Sequence, residues 1–107
     1  MFTVCETPAF TRNYLKYWSE DEYEEFKTFI ASNPDCGVVE PDVGGLRKVR
    51  WAGKGKGKKG GVRVIYLNRL DNGQIWLLTL YSKDSVNQID KKTLRLFAEK
   101  MNEHFNR

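Results

Sequence analysis

The chain has 107 residues, 40% of them hydrophobic and 13% aromatic, enough for one hydrophobic core and too few for two. Its formal net charge is +4, and no run approaches the ~18 to 20 apolar residues of a membrane-spanning helix. The first residues have neither the basic nor the apolar region of a signal peptide, so a cytoplasmic, single-domain protein with no membrane partner is expected.

Phe2-Thr3-Val4-Cys5-Glu6 reads as a short opening strand, after which Phe10, Tyr14 and Tyr17 recur at helical spacing. Ser19 followed by Glu22 makes a capping box. A second helix should start there, bury Tyr23, Phe26 and Ile30, and stop at Asn33-Pro34. These aromatic stripes read as core, because Glu20, Asp21, Glu24 and Glu25 beside them would repel phosphates. Cys5 and Cys36 belong to no CxxC pair, and the chain has one histidine. The common zinc and thioredoxin-like patterns are thereby excluded, and buried free thiols are expected, with no metal and no cofactor.

After Pro41 the pattern becomes extended, with strands expected over about 45–51, 62–70 and 74–82. Asn72-Gly73 signals a two-residue hairpin of type I′. Such a turn would set Asp71 opposite Gln74, Val64 opposite Tyr81 and Arg63 opposite Ser82. Tyr66 and Tyr81 would then lie on the face opposite Arg63, and Arg63 and Lys83 would meet at one end of the hairpin, where the preceding loop enters. Residues 64–67 and 75–81 are apolar on both faces, so both sides of the sheet should be covered, one by the N-terminal helices. The other cover is a C-terminal helix with Leu94, Phe97, Met101 and Phe105 on one face and Asp90 as N-cap. The whole is an α+β domain: an N-terminal strand and two helices, an antiparallel sheet with a central hairpin, and a C-terminal helix.

Charge is distributed unevenly over these elements. Residues 1–42 hold nine acids against three bases, whereas Arg47, Lys48, Arg50, Lys54, Lys56, Lys58, Lys59, Arg63 and Arg69 fall between Asp42 and Asp71 with no acid among them. Such a tract suits a polyanion. Within it the glycines let backbone approach a phosphate closely while the lysines supply charge. Its ordinary alternative is a solvated, unliganded loop. The loop lacks the Gly-Lys-Ser/Thr ending of a nucleotide-binding P-loop, and His104, late in the last helix, has no nucleophile at its side in sequence.

Lysine, arginine and tyrosine suffice in principle to cleave RNA by attack of a 2′-hydroxyl on the adjacent phosphate. That reaction needs a base, an acid for the leaving oxygen and stabilisation of the crowded phosphate. Arg63, on a strand, is the best stabiliser. Lys48, Lys54, Lys56 or Lys58, crowded by other cations, are candidates for acid or base. Tyr81 and Tyr66 could stack on a base or move a proton, with core packing favoured for Tyr66. Trp51 is equally a stacking platform or a lid on the core.

The Gly-Gly-Leu-Arg-Lys-Val-Arg segment at 44–50, the Gly-Lys-Gly-Lys-Gly-Lys-Lys-Gly-Gly segment at 53–61, Arg63-Val64-Ile65-Tyr66, and Leu77-Leu78-Thr79-Leu80-Tyr81-Ser82-Lys83 together resemble the RelE superfamily of bacterial toxins, most closely its HigB branch. The resemblance implies a RelE-like fold and the toxin of a type II toxin-antitoxin pair. Such a toxin enters the ribosomal A site, against ribosomal RNA, and cuts the bound mRNA. The resemblance places Arg63 at the scissile phosphate with Lys48 and Arg50 assisting, and the nearby Lys54, Lys56 and Tyr81 are candidates for the catalytic set. Arg47, Trp51, Lys58, Lys59 and Lys83 are candidate RNA contacts. A helix-turn-helix antitoxin is the implied protein partner. RelE itself has a catalytic tyrosine beyond the last strand, where residues 84–89 here hold none, so Tyr81 substitutes or no tyrosine is used. The superfamily also contains ParE-like inhibitors of DNA gyrase, and a non-catalytic RNA-binding module is the reading outside the toxins.

Overall fold

The computed structural model describes residues 1–53, 61–83 and 89–106. A five-stranded sheet in the order β1-β5-β4-β3-β2 forms its centre, from β1 (Thr3–Glu6), β2 (Val38–Val39), β3 (Arg47–Trp51), β4 (Val62–Arg69) and β5 (Gln74–Ser82). Helices α1 (Pro8–Asn13) and α2 (Glu20–Ser32) follow β1, and α3 (Lys91–Phe105) closes the chain. The sheet is mixed rather than antiparallel as expected, because β1 runs parallel to β5 while the other neighbours are antiparallel. A parallel neighbour needs a crossover in place of a hairpin, which the chain between β1 and β5 provides.

Each helix begins where its side chains can satisfy the free backbone N–H groups of the first turn. Thr7 Oγ1 accepts from Phe10 N with Pro8 in the first turn of α1. Ser19 and Glu22 form the expected reciprocal capping box of α2. Asp90 accepts from Thr93 N at the start of α3, and that bond holds its carboxyl below the usual carboxylate range.

The sheet has two buried faces. On the first, Val49, Val62, Val64, Tyr66, Ile75, Leu77 and Leu80 pack with Phe10, Trp18, Tyr23, Phe26 and Ile30 of the N-terminal segment. On the second, Ile65, Leu78 and Tyr81 pack with Leu94, Ala98 and Met101 of α3. Both covers lie where the apolar runs of β4 and β5 require them. Cys5 and Cys36 are free and half-buried. Among the described residues no helix is long and apolar enough to cross a membrane.

The hairpin departs from expectation in a way that matters for the site. Arg69, not Asp71, faces Gln74, because Leu70–Asn72 forms a 3-10 turn and of its neighbours only Gly73 takes a left-handed conformation, with φ 71°. A type I′ turn needs positive φ at both central residues, and Asn72 does not supply it. Further along, Tyr66 pairs with Leu77 but Ile65 with Thr79, leaving Leu78 as the extra residue of a bulge. The bulge changes the phase of β5, so Val64 faces Leu80 and Arg63 faces Tyr81. Thr7 supports it: its N–H donates to Leu77 O at 3.1 Å and its hydroxyl to Leu78 O at 2.7 Å.

Candidate nucleic-acid interface

Registered residues of neighbouring strands point to the same side of a sheet, so the pairings place the candidates directly. Arg50 faces Arg63 and Arg63 faces Tyr81, one row across β3, β4 and β5. Strands ~4.8 Å apart bring these three side chains side by side. Lys48, two residues along β3 and paired with Ile65, lies on the same face. Tyr81 therefore shares the face of Arg63, contrary to the alternation expected from the two-residue turn. The bulge at Leu78 is the cause. Tyr66 does lie opposite, fully buried, its hydroxyl accepting from Gly37 N and donating to Pro34 O, both at 2.8 Å.

Two members of the sequence-derived set fall outside this face. Arg47, registered with Tyr66, turns to the first face, where its guanidinium meets Gly37 O at 2.9 Å and Asp35 at 3.5 Å. A five-residue strand alternates, so Arg47 cannot join Lys48 and Arg50. Trp51 also belongs to the first face, its ring against Phe26 and Phe29 with centroids 5.2 and 5.0 Å away. It serves there as a lid on the aromatic core. Lys54, Lys56, Lys58 and Lys59 lie outside the described residues. The described residues on either side of them meet: a Cβ on Gly61 would stand 2.3 Å from Gly53 N, so only glycine lets the two stems touch. Trp18 Nε1 donates to Ala52 O at 2.7 Å and anchors the first stem to the core. Lys83, exposed, donates its N–H to Gly61 O at 3.5 Å, which keeps it at that end.

The structure adds a carboxylate that the basic tract concealed. Lys48 Nζ lies 2.9 Å from Glu40 Oε1, with both side chains partly exposed. Lys48 thus has an anion as its near neighbour, and crowding by cations does not describe it. Glu40 reaches this position because the turn between β2 and β3 closes tightly, its N–H donating to Leu46 O at 2.8 Å. A small hollow of about 50 Å³ is lined by Glu40, Lys48, Tyr81 and Lys91, with Ile65, Ile89 and Leu94. Tyr81 is 6% exposed, buried between the sheet and α3. Sequence reading passed over Glu40 because it stands outside the acid-free tract. Its one signal was its place just before Pro41 and the glycine turn leading into β3.

Chemically, the row offers two guanidiniums for a phosphate and, next to them, a carboxylate and an ammonium in contact, a base and an acid held together. Arginines directly opposite each other carry a cost to the sheet. His104 lies near the C-terminal end of α3, its ring edge-on to Trp76 of β5. Among the described residues no three His, Cys, Asp or Glu side chains gather as a metal site. No protein-family model matches the chain.

Proposed function

We propose that this protein is the toxin of a type II toxin-antitoxin pair, of the HigB-like branch of the RelE superfamily with its RelE-like fold, and cuts mRNA in the ribosomal A site. The likeness of residues 44–50, 53–61, 63–66 and 77–83 supports the family placement. The observation that supports the chemistry is the row Arg50, Arg63 and Tyr81 with the Lys48–Glu40 pair beside it.

In this reading Arg63, at the centre of the row, binds the scissile phosphate and stabilises the charge that builds on it in the transition state. Arg50 binds the same or the neighbouring phosphate. Glu40 takes the proton from the 2′-hydroxyl as its oxygen bonds to phosphorus. Lys48 gives a proton to the departing 5′-oxygen as the phosphorus–oxygen bond breaks. The products are a 2′,3′-cyclic phosphate and a 5′-hydroxyl. Tyr81 packs beneath and fixes the position of the arginine, and the lysines of 54–59 add to the positive charge that attracts RNA.

Brief induction in bacteria followed by primer extension on abundant transcripts tests this. Growth arrest with new 5′ ends inside coding regions is expected, and both should vanish in Arg63→Ala. DNA-damage signalling with intact transcripts would instead identify a gyrase inhibitor, and neither effect would leave an RNA-binding module.

A further inference from the structure

A second hollow, of about 450 Å³, opens beside the row and is lined by Glu25, Phe29, Arg50, Trp51 and Ala52. Glu25 and Phe29 stand four residues apart on α2, hence on one face of the helix. The rings of Phe29 and Trp51 lie 5.0 Å apart at 41° and form an open wedge. Phe29 is 38% exposed, a large apolar side chain left in water at the edge of a charged site. The hollow sits at the margin of the sheet, where among the described residues β2 pairs with Arg47 and Lys48 and no outer strand covers the rest of β3.

The geometry points to a nucleobase subsite here, taking the base of the nucleotide next to the scissile phosphate and favouring guanine. This rests on the RNA-cleaving reading above. Arg50 connects the two places: it faces Arg63 across the strands and also lines the hollow. A phosphate held by Arg50 is therefore adjacent along the RNA to one held by Arg63, and its base is carried over the edge of β3. There it meets aromatic walls, on which any unstacked base can lie. Glu25 selects among bases. An ionised carboxylate only accepts hydrogen bonds. Guanine presents two adjacent donors, N1–H and N2–H₂, on its Watson–Crick edge, matching both carboxylate oxygens. Adenine and cytosine offer one amino group beside an acceptor that the carboxylate repels, and uracil one N–H between two carbonyls. An apolar side chain of a protein partner would use the rings and leave Glu25 and Arg50 idle.

The test uses the whole chain and two readouts. In the first, RNA hexamers of uracil, with or without one guanine, are titrated while tryptophan emission is followed. Tighter binding of the guanine hexamer, by about tenfold as for a good two-bond base contact, is expected. It should be lost in Glu25→Gln, and the quenching should be lost in Trp51→Phe with the circular dichroism unchanged. In the second, cut sites are mapped across transcripts for the wild type and Glu25→Gln. A guanine preference at one fixed offset from the cut should disappear in the variant while the total number of cuts persists. Equal affinity for the two hexamers, quenching that survives Trp51→Phe, or an unchanged base preference would overturn the subsite. Wild-type cutting with an unchanged preference in Glu25→Gln removes the subsite alone, whereas guanine-selective binding without any cutting removes the nuclease reading alone.

Discussion

Arg50 and Arg63 oppose each other across β3 and β4, and like charges so placed cost a sheet a few tenths to about 1 kcal/mol. Replacing Arg50 should therefore stabilise the protein while weakening the proposed cleavage of RNA. Arg50→Thr is expected to raise the melting temperature by about 1 to 5 °C and to lower RNA cleavage at least tenfold. Thermal melting and a cleavage assay on the same preparation check both signs. If cleavage were unchanged, Arg50 would have no place in the site. The residue types of this face could be read from the sequence, since Lys48, Arg50 and Arg63 stand in strand-like segments whose alternation is visible. Glu40 could not, because Pro41 and the glycines after it mark a turn without showing that its closure brings Glu40 to Lys48.

Among the elements, the bulge in β5 decides which face Tyr81 takes, and Thr7 holds it from α1. Thr7→Val would remove the N-cap of α1 and leave the Leu78 carbonyl without its donor, at a cost of about 1 to 3 kcal/mol. Ser19→Ala, at the cap of α2, should cost about 1 kcal/mol. Only the first should also depress cleavage, since only it loosens the register that sets Tyr81 beside Arg63; equal activity in the two variants would detach the bulge from function. A further expectation concerns the tyrosines between α1 and α2. Tyr14 is pushed up to about 12 from an ordinary 10.0, first by its hydrogen bond to the Glu20 carboxylate at 2.6 Å. Tyr23 is also raised, by burial first and then by its bond to Glu6. A proton held more tightly in the folded chain stabilises it, so this contribution is whole below pH 10 and drains away as pH rises through about 12. Denaturant unfolding across that range should show falling stability, less steeply in Tyr14→Phe. Helices were predictable here because capping residues and aromatic spacing agree. The hairpin register was not: residues 75–81 are apolar on both faces and carry no alternation to show a one-residue slip, and Asn72-Gly73 suggested a tighter turn than the chain makes.

Across the whole molecule, an asymmetry along the sequence becomes one through the sheet. The acidic first turn of α2, with Glu20, Asp21 and Glu22, covers the first face, whereas Lys48, Arg50 and Arg63 share the second with the start of α3 at Lys91. An RNA approaching such a body would be drawn to one side of it, and that side holds the carboxylate–ammonium pair that the proposed cleavage uses. The order of strands and helices followed from the sequence except for β2, which lies outside every expected strand. The gathering of Arg50, Arg63 and Tyr81 into one row required the registers, which are set by the bulge and by the Leu70–Asn72 turn. The most direct measurement incubates the purified protein with ribosomes whose A site holds a defined codon, then identifies the ends of the cut mRNA. The account predicts a 2′,3′-cyclic phosphate facing a 5′-hydroxyl with the wild type, and loss of cutting by at least a hundredfold, as for a removed transition-state donor, in an Arg63→Ala variant that melts normally. Cuts bearing a 5′-phosphate, or cutting undiminished in that variant, would contradict it.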